Sequence, residues 1–257
     1  MESKIDTLAK ILKDSTRAVF FGGAGMSTES GIPDFRSADG IYNQNLHRRF
    51  RPEEMASHSF LVKHPEEFFD FYRQRMMFLS AAPNAGHKAL VRLEQQGILA
   101  AVVTQNIDGL HQLAGSKIVY ELHGSSRHWH CMDCGKNYPM EYALQEKNKP
   151  IPHCVECGGV VRPGVVLYEE GLEDEVVQKA LRAISAADTL IVGGTSLVVY
   201  PAAGMIDYFR GKHLVLINKT ETKADVRAEL VIREPIGKTL ATAVDRLMNE
   251  WFLEVRY

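Results

Sequence analysis

The chain of 257 residues has no cysteine outside the stretch from 131 to 157, no surplus of basic charge and no long apolar run. Each absence removes a class of function. Lys and Arg number 30 against 32 Asp and Glu, a formal net charge of −2. Proteins that grip nucleic-acid phosphates usually carry a basic surplus, so direct nucleic-acid binding is not expected. No apolar segment approaches the roughly 18–20 residues of a membrane span, so no membrane partner is expected either. The opening residues, Met1 to Asp6, lack the apolar core of a secretory signal, and a cytoplasmic protein is expected. Ser3 and Asp6 instead form a candidate capping box for a helix with Ile5, Leu8 and Leu12 on one face. No internal repeat or low-complexity segment interrupts the chain. Hydrophobic residues make up 45% and charged residues 24%, enough for one large domain with a sizeable core, with or without a small insert.

The four cysteines that are present, Cys131, Cys134, Cys154 and Cys157, form a doubled Cys-x2-Cys with 19 residues between the pairs. That spacing matches a tetrahedral all-thiolate zinc site. Two disulfides are disfavoured without an export signal, and a redox pair would not need doubling. Four thiolates fill the shell, so one zinc per chain is expected to be structural and the chemistry to lie elsewhere. His128, His130 and His153 neighbour the cysteines as reserve ligands.

Short apolar runs alternate with helical patterns. Residues 18–21, 99–103, 190–192 and 214–217 are apolar on both faces and read as buried parallel strands. A shorter run spans 118–122. Stretches 86–96, 173–187 and 201–210 read as helices. The fold class expected is α/β, a doubly wound Rossmann-type parallel sheet. Two stretches break the alternation: 39–83, helical and rich in aromatics and Met, and 124–164, which holds the cysteines. The expected division is 1–38, 84–123 and 165–250 for the sheet domain, 39–83 as a helical insert, 124–164 as a zinc-ribbon insert and 251–257 as a C-terminal tail. The two inserts would form a smaller lobe, and a cleft between lobes suits a substrate.

The residues after each strand carry the chemistry. Gly23-Ala24-Gly25 follows the first, Gln105-Asn106-Ile107-Asp108 the second, His123-Gly124 the short run, Gly194-Thr195-Ser196 the next and Asn218 the last. Ligands of open parallel sheets bind outside these carboxyl ends, so a shared crevice is expected. Gly23-Ala24-Gly25 is an incomplete dinucleotide fingerprint, because Thr28 stands where a third glycine belongs. Gly31-Ile32-Pro33-Asp34-Phe35-Arg36 reads as a shaped loop. Of ten histidines, His123 stands apart by ending a strand before a glycine. Histidine titrates near neutral pH, as a general base must. His58, His64 and His213 read as surface residues.

These motifs occur in an order that resembles the sirtuins, NAD-dependent protein lysine deacylases, and in particular the compact bacterial members. The resemblance spans Gly23 to Lys219. It implies a deacetylase that consumes NAD, releases nicotinamide and forms O-acetyl-ADP-ribose, with zinc in the small lobe. Position by position it implies NAD contacts at Gly23, Ala24, Gly25, Thr28, Phe35 and Arg36. It places nicotinamide against Gln105, Asn106, Ile107 and Asp108, and phosphates and adenosine against Gly194, Thr195, Ser196, Asn218 and Ile236. His123 would be catalytic. Val165, Val166, Val198 and Tyr200 would clamp an acyl-lysine peptide between them as a β-strand. Tyr72 and Arg75 form the Tyr-x-x-Arg that reads the acyl carboxylate in the desuccinylase and demalonylase branch. Thr28 and Asp34 look like the deacetylase type, which leaves Arg75 as a solvated helix residue beside a packed Tyr72. Mono-ADP-ribosyltransfer to protein, and an NAD- or ADP-ribose-binding zinc module without turnover, are the alternative functions.

Overall fold

The computed structural model describes residues 3–34, 40 and 50–254, with the side chains of 251–254 excepted. Among these residues nine strands form two sheets. In chain order they are β1 (Ala18–Gly22), β2 (Leu99–Thr104), β3 (Val119–Glu121), β4 (Gly124–Cys131), β5 (Asn137–Pro139), β6 (Val161–Val165), β7 (Thr189–Gly193), β8 (His213–Ile217) and β9 (Leu230–Ile232). The α-helices are α1 (Lys4–Asp14), α2 (Pro52–Met55), α3 (His58–Lys63), α4 (Pro65–Arg75), α5 (Ala85–Gln95), α6 (Leu110–Ala114), α7 (Met140–Leu144), α8 (Asp174–Ser185) and α9 (Ile236–Glu254).

The first sheet is parallel, six-stranded and ordered β3-β2-β1-β7-β8-β9. Strands β1, β7 and β8 are buried at every position. Their side chains alternate between two cores, as the two-residue period of a strand requires. Phe20, Ile191 and Val215 join α1, α5 and α9 in one. Val19, Val192 and Leu216 join α8 and the 202–208 segment in the other. The helix start at Ser3 is capped reciprocally: Asp6 N–H donates to Ser3 Oγ and Ser3 N–H to the Asp6 carboxylate. Leu8 and Leu12 are fully buried below it.

Strand order reverses on either side of β1. The chain runs outward through β2 and β3 on one side and through β7, β8 and β9 on the other, so the connections diverge at β1 and β7. Gly22 and Gly193 pair there, at the carboxyl ends. A crevice opens at such a switch point because no connection covers it.

The second sheet is antiparallel, ordered β5-β4-β6. It shares a core with α2, α3 and α4 in which Phe68, Phe69, Phe71, Tyr72 and Trp129 are essentially fully buried. Tyr72 and Trp129 meet edge to face at 5.7 Å, while Phe69 and Trp129 stack at 6.2 Å. Burying each such ring contributes about 1.5–3 kcal/mol.

The structure differs from the expected elements in three places. The helix expected at 201–210 is present at 202–208 but wound as a 3-10 helix, closed by bonds such as Phe209 N–H to Ile206 O. β9 has only three residues, too few for a period to show. The last helix runs on to Glu254, so 251–254 continue it rather than form a separate tail; residues 255–257 lie outside the described residues.

Candidate active site

The crevice at the switch point is a cavity of about 610 Å³ bounded by both sheets. Its floor is built from close backbone approaches. Gly25 N–H donates to Gly194 O at 2.8 Å. A Cβ on Gly25 would lie 2.7 Å from the Gly194 Cα, and Gly194 itself has a φ of 61°. Only glycine fits either position. Gly23, Ala24, Gly25 and Thr28 line the cavity with Gly194, Thr195, Ser196, Asn218 and Ile236. Thr195 and Asn218 are locked to each other by two bonds, Thr195 N–H to Asn218 Oδ1 at 3.0 Å and Asn218 Nδ2 to Thr195 O at 2.8 Å. Gln105 Nε2 donates to Thr195 Oγ1 at 3.0 Å. The loops after β1, β2, β7 and β8 are thus one hydrogen-bonded unit.

The loop after β2 is held from below. Asn106 Nδ2 donates to Ser27 Oγ, and Ser27 Oγ donates to Asp108 Oδ2 at 2.7 Å. Leu110 N–H donates to Asp108 Oδ1, and Arg127 Nε to the Asp108 carbonyl. Burial pushes the Asp108 carboxyl above the usual range, opposed by these donors and by the Arg127 charge. Asp108 does not line the large cavity. With Asn106 and Ile107 it lines a small adjoining pocket of about 30 Å³, closed by Ala24, Ile32, Pro33, Met76 and Phe78.

His123 follows β3 and lines the cavity. Its Nδ1 lies 2.9 Å from the Gln105 carbonyl oxygen. A carbonyl oxygen only accepts, so Nδ1 carries the proton and Nε2 keeps its lone pair. Burial lowers the pKa of His123, opposed by this hydrogen bond. Burial thus favours the neutral form of the ring. Gly124, with a φ of 71°, lets β4 begin directly after it; a Cβ there would come within 2.1 Å of the Gly164 oxygen.

Val165, Val166 and Tyr200 line the cavity, while Val198 is exposed beside it. The Val166 N–H donates to the His123 carbonyl, which joins this segment to the histidine. Tyr72 reaches the cavity wall, and its hydroxyl pairs with Ser126 Oγ at 2.7 Å. Arg75 is half-buried and is not among the lining residues. Phe35 and Arg36 lie outside the described residues.

The four cysteine sulfurs lie within 4.8 Å of one another, among them Cys131 with Cys157 at 3.4 Å and Cys134 with Cys154 at 3.6 Å. Four ligands at about 2.3 Å on a tetrahedron are about 3.8 Å apart, so the set fits one zinc. Tyr138 O–H donates to Cys154 Sγ and orients it. No neighbouring histidine joins the group.

Several residues of consequence escape a sequence reading. Glu121 sits two positions before His123, in β3, and burial pushes its carboxyl up to about 7. His213, expected at the surface, is buried at the start of β8 with Nδ1 2.6 Å from Glu229. Both faces of β8 are covered, so His213 and its neighbour Leu214 are buried although their side chains leave opposite faces of the sheet. His87 and His111 are buried ring against ring at 4.7 Å in the core of the large sheet.

The sequence and the fold both have counterparts among known proteins. A Sir2 family model matches residues 23–201. An NAD-dependent protein deacetylase of Clostridium acetobutylicum is 58% identical over 94% of this chain and 98% of its own length. A Sir2–p53 peptide–NAD+ structure superposes with a TM-score of 0.83 at 37% identity, covering 98% of this chain and all of that one. A Sir2 complex with a deacetylated p53 peptide and 3'-O-acetyl ADP ribose superposes at 0.87 with 36% identity, covering 95% and 98%. With a family model covering well over half its length and a close relative matched nearly end to end, the chain belongs to the Sir2 family.

Proposed function

We propose that this chain is an NAD-dependent protein lysine deacetylase, with acyl-lysine protein segments as its substrates. The observation that carries the reading is His123 in the cavity wall at the carboxyl ends of the strands, with Nδ1 committed to the Gln105 carbonyl so that Nε2 is the nitrogen left to accept a proton. NAD supplies the ribose that accepts the acyl group as nicotinamide leaves. The glycine cradle of Gly23, Gly25 and Gly194 suits a pyrophosphate, since backbone approaches that close admit no side chain. Thr28, Thr195, Ser196, Asn218 and Ile236 take the remaining NAD contacts in this reading. Gln105, Asn106, Ile107 and Asp108 hold the nicotinamide carboxamide. His123 Nε2 removes the proton from the ribose hydroxyl that attacks the acyl carbon.

Val165 and Val166 on one side, Val198 and Tyr200 on the other, receive the peptide as a strand between them. The cysteinates hold a zinc whose contribution is to order the small sheet. The domain boundaries expected from the sequence, apart from the separate tail at 251, and the cytoplasmic location belong to the same proposal. Among the described residues no helix is long and apolar enough to cross a membrane.

For the acyl group, the Tyr72 hydroxyl is engaged by Ser126 and Arg75 stands off the cavity lining. Both favour acetyl over succinyl. The test is incubation with NAD and acetyl- or succinyl-lysine peptides, following nicotinamide and the mass of the products. Acetyl-lysine should be turned over at least about tenfold better in kcat/KM, the size of one missing charge-assisted hydrogen bond. A succinyl preference that vanishes in Arg75→Met would overturn the acyl assignment. ADP-ribosylated protein in place of O-acetyl-ADP-ribose would overturn deacylation itself.

A further inference from the structure

The segment that leaves β6 and runs along the cleft, Val165 to Glu170, is held by an ion pair between a buried arginine, Arg162, and Glu170, a partly exposed carboxylate at the cavity wall. Arg162 is 6% exposed. Its Nη1 and Nη2 donate to the two oxygens of Glu170 at 2.5 and 3.0 Å. The same Nη2 donates to the Val165 carbonyl at 2.7 Å. Glu170 Oε2 also accepts from the Leu167 N–H at 2.8 Å, and Oε1 lies 2.8 Å from His58 Nδ1. The loop is therefore buckled across its own base, from the last residues of β6 to Glu170, and fastened to α3. A second seam joins it to the same region: Tyr168 N–H donates to Ala56 O and His58 N–H to Tyr168 O.

The pair has a marked effect on Glu170. Burial alone would raise its carboxyl, but the donors from Arg162, Leu167 and His58 hold it near about 2. Ion pairs with a buried member are weak evidence for stability, and their best-attested use is to specify one conformation. Here there is a conformation to specify. Glu169 has a φ of 78° although it is not glycine. Among the described residues only Leu197 shares that feature, with a φ of 53°. Glu169 lies on the Val165 side of the cleft, and Leu197 directly precedes Val198 on the other. Left-handed backbone at a non-glycine residue persists only where its surroundings over-determine it.

We infer that the Arg162–Glu170 pair, with His58, is a positioning device that closes the Leu167–Glu170 turn and so holds Val165–Leu167 along the cleft in the form an incoming peptide strand needs. The inference rests on the strand-clamp reading proposed above. It gives these residues no contact with NAD and no part in proton transfer. Their loss should therefore weaken peptide capture and leave the chemistry of bound substrate in place.

The experiment uses the full chain, an acetyl-lysine peptide, and the same peptide N-methylated at the backbone amides flanking the acetyl-lysine. In the wild type, N-methylation should raise KM about tenfold or more, because each lost strand hydrogen bond weakens binding without touching the acyl group. If it does not, the clamp reading fails, whatever the variants do. In Glu170→Gln and Arg162→Met the unmethylated peptide should show KM raised about tenfold, with kcat and the KM for NAD within about twofold of wild type. The penalty for N-methylation should shrink in both, since the clamp it reports on is already loosened. Peptide KM unchanged in both variants, with the methylation penalty intact, overturns the inference. A fall in kcat and NAD affinity in step with peptide KM also overturns it, because a general loss of structure would do that. If Arg162→Met does not fold, Glu170→Gln, which keeps the shape of the side chain but loses its charge and one of its two acceptor oxygens, decides the matter alone.

Discussion

The two sheets reach order by different means. The parallel sheet buries both faces of β1, β7 and β8, each face against its own apolar cluster. The antiparallel sheet has three strands and one cluster, and that cluster includes Cys131 and Cys154 among its buried members. β5 contributes a single buried residue, Tyr138, between two exposed ones. A core that small seldom stands without a staple. The difference teaches where each kind of function can sit. The self-sufficient sheet presents rigid loops for a co-substrate. The stapled one supplies the facing wall, and the cleft lies between them.

The comparison is broken most severely by removing the metal. Chelation of zinc, or Cys154→Ala, should melt the small sheet, abolish turnover and leave the parallel sheet folded. Circular dichroism should show an early partial transition, and NAD should still bind more tightly than to unfolded chain. A chelated protein with normal melting and turnover would show that the aromatic core suffices.

Next in size is the residue at the junction. His123→Ala should lower kcat by about 10²–10⁴, the usual loss for a general base, with NAD affinity and melting temperature kept. Activity within threefold of wild type would remove His123 from the chemistry. In the wild type the acid limb of kcat/KM should lie below about 6.5, since burial depresses this histidine.

The smallest effect sharpens the comparison from the side of the large core. Burial lowers His87 to about 4, and burial together with His87 lowers His111 to about 3. The unfolded chain takes up these protons near 6.5, the folded chain only at the lower values. The stability due to keeping both rings neutral is therefore complete above about 6.5 and is lost as pH falls through the folded values. In His111→Leu the loss of stability between pH 6.5 and 4 should be shallower by up to about 1.4 kcal/mol per pH unit. Equal acid slopes in urea titrations of the two proteins would contradict this.

Much of the fold is legible in the sequence where burial is symmetrical. Runs such as Leu214 to Ile217 announce a covered strand because no polar residue interrupts either face. The paired cysteines are legible because a tetrahedral site constrains spacing along the chain. The cleft is legible because glycines and polar groups recur after successive strands. What escapes has a common cause. β9 is too short to display a period. His87, His111 and His213 are polar by type and buried by packing, and nothing local distinguishes them from surface histidines. Arg162 and Glu170 are eight residues apart with a turn between them, so their pairing is invisible until the loop closes.

Local chemistry alone therefore determined the classes of group present: a glycine cradle, an amide-and-carboxylate loop, one histidine before a glycine, four thiolates. Tertiary structure decided which of them meet. Parallel strands of different sequence position end at one edge, so Gln105, His123, Thr195 and Asn218 come together across 113 residues of chain. It also decided protonation. The proton on His123 Nδ1 follows from a carbonyl 18 residues away, and the depressed or raised pKa of each buried group follows from what excludes water around it. Neither the partner nor the burial is a property of the residue itself.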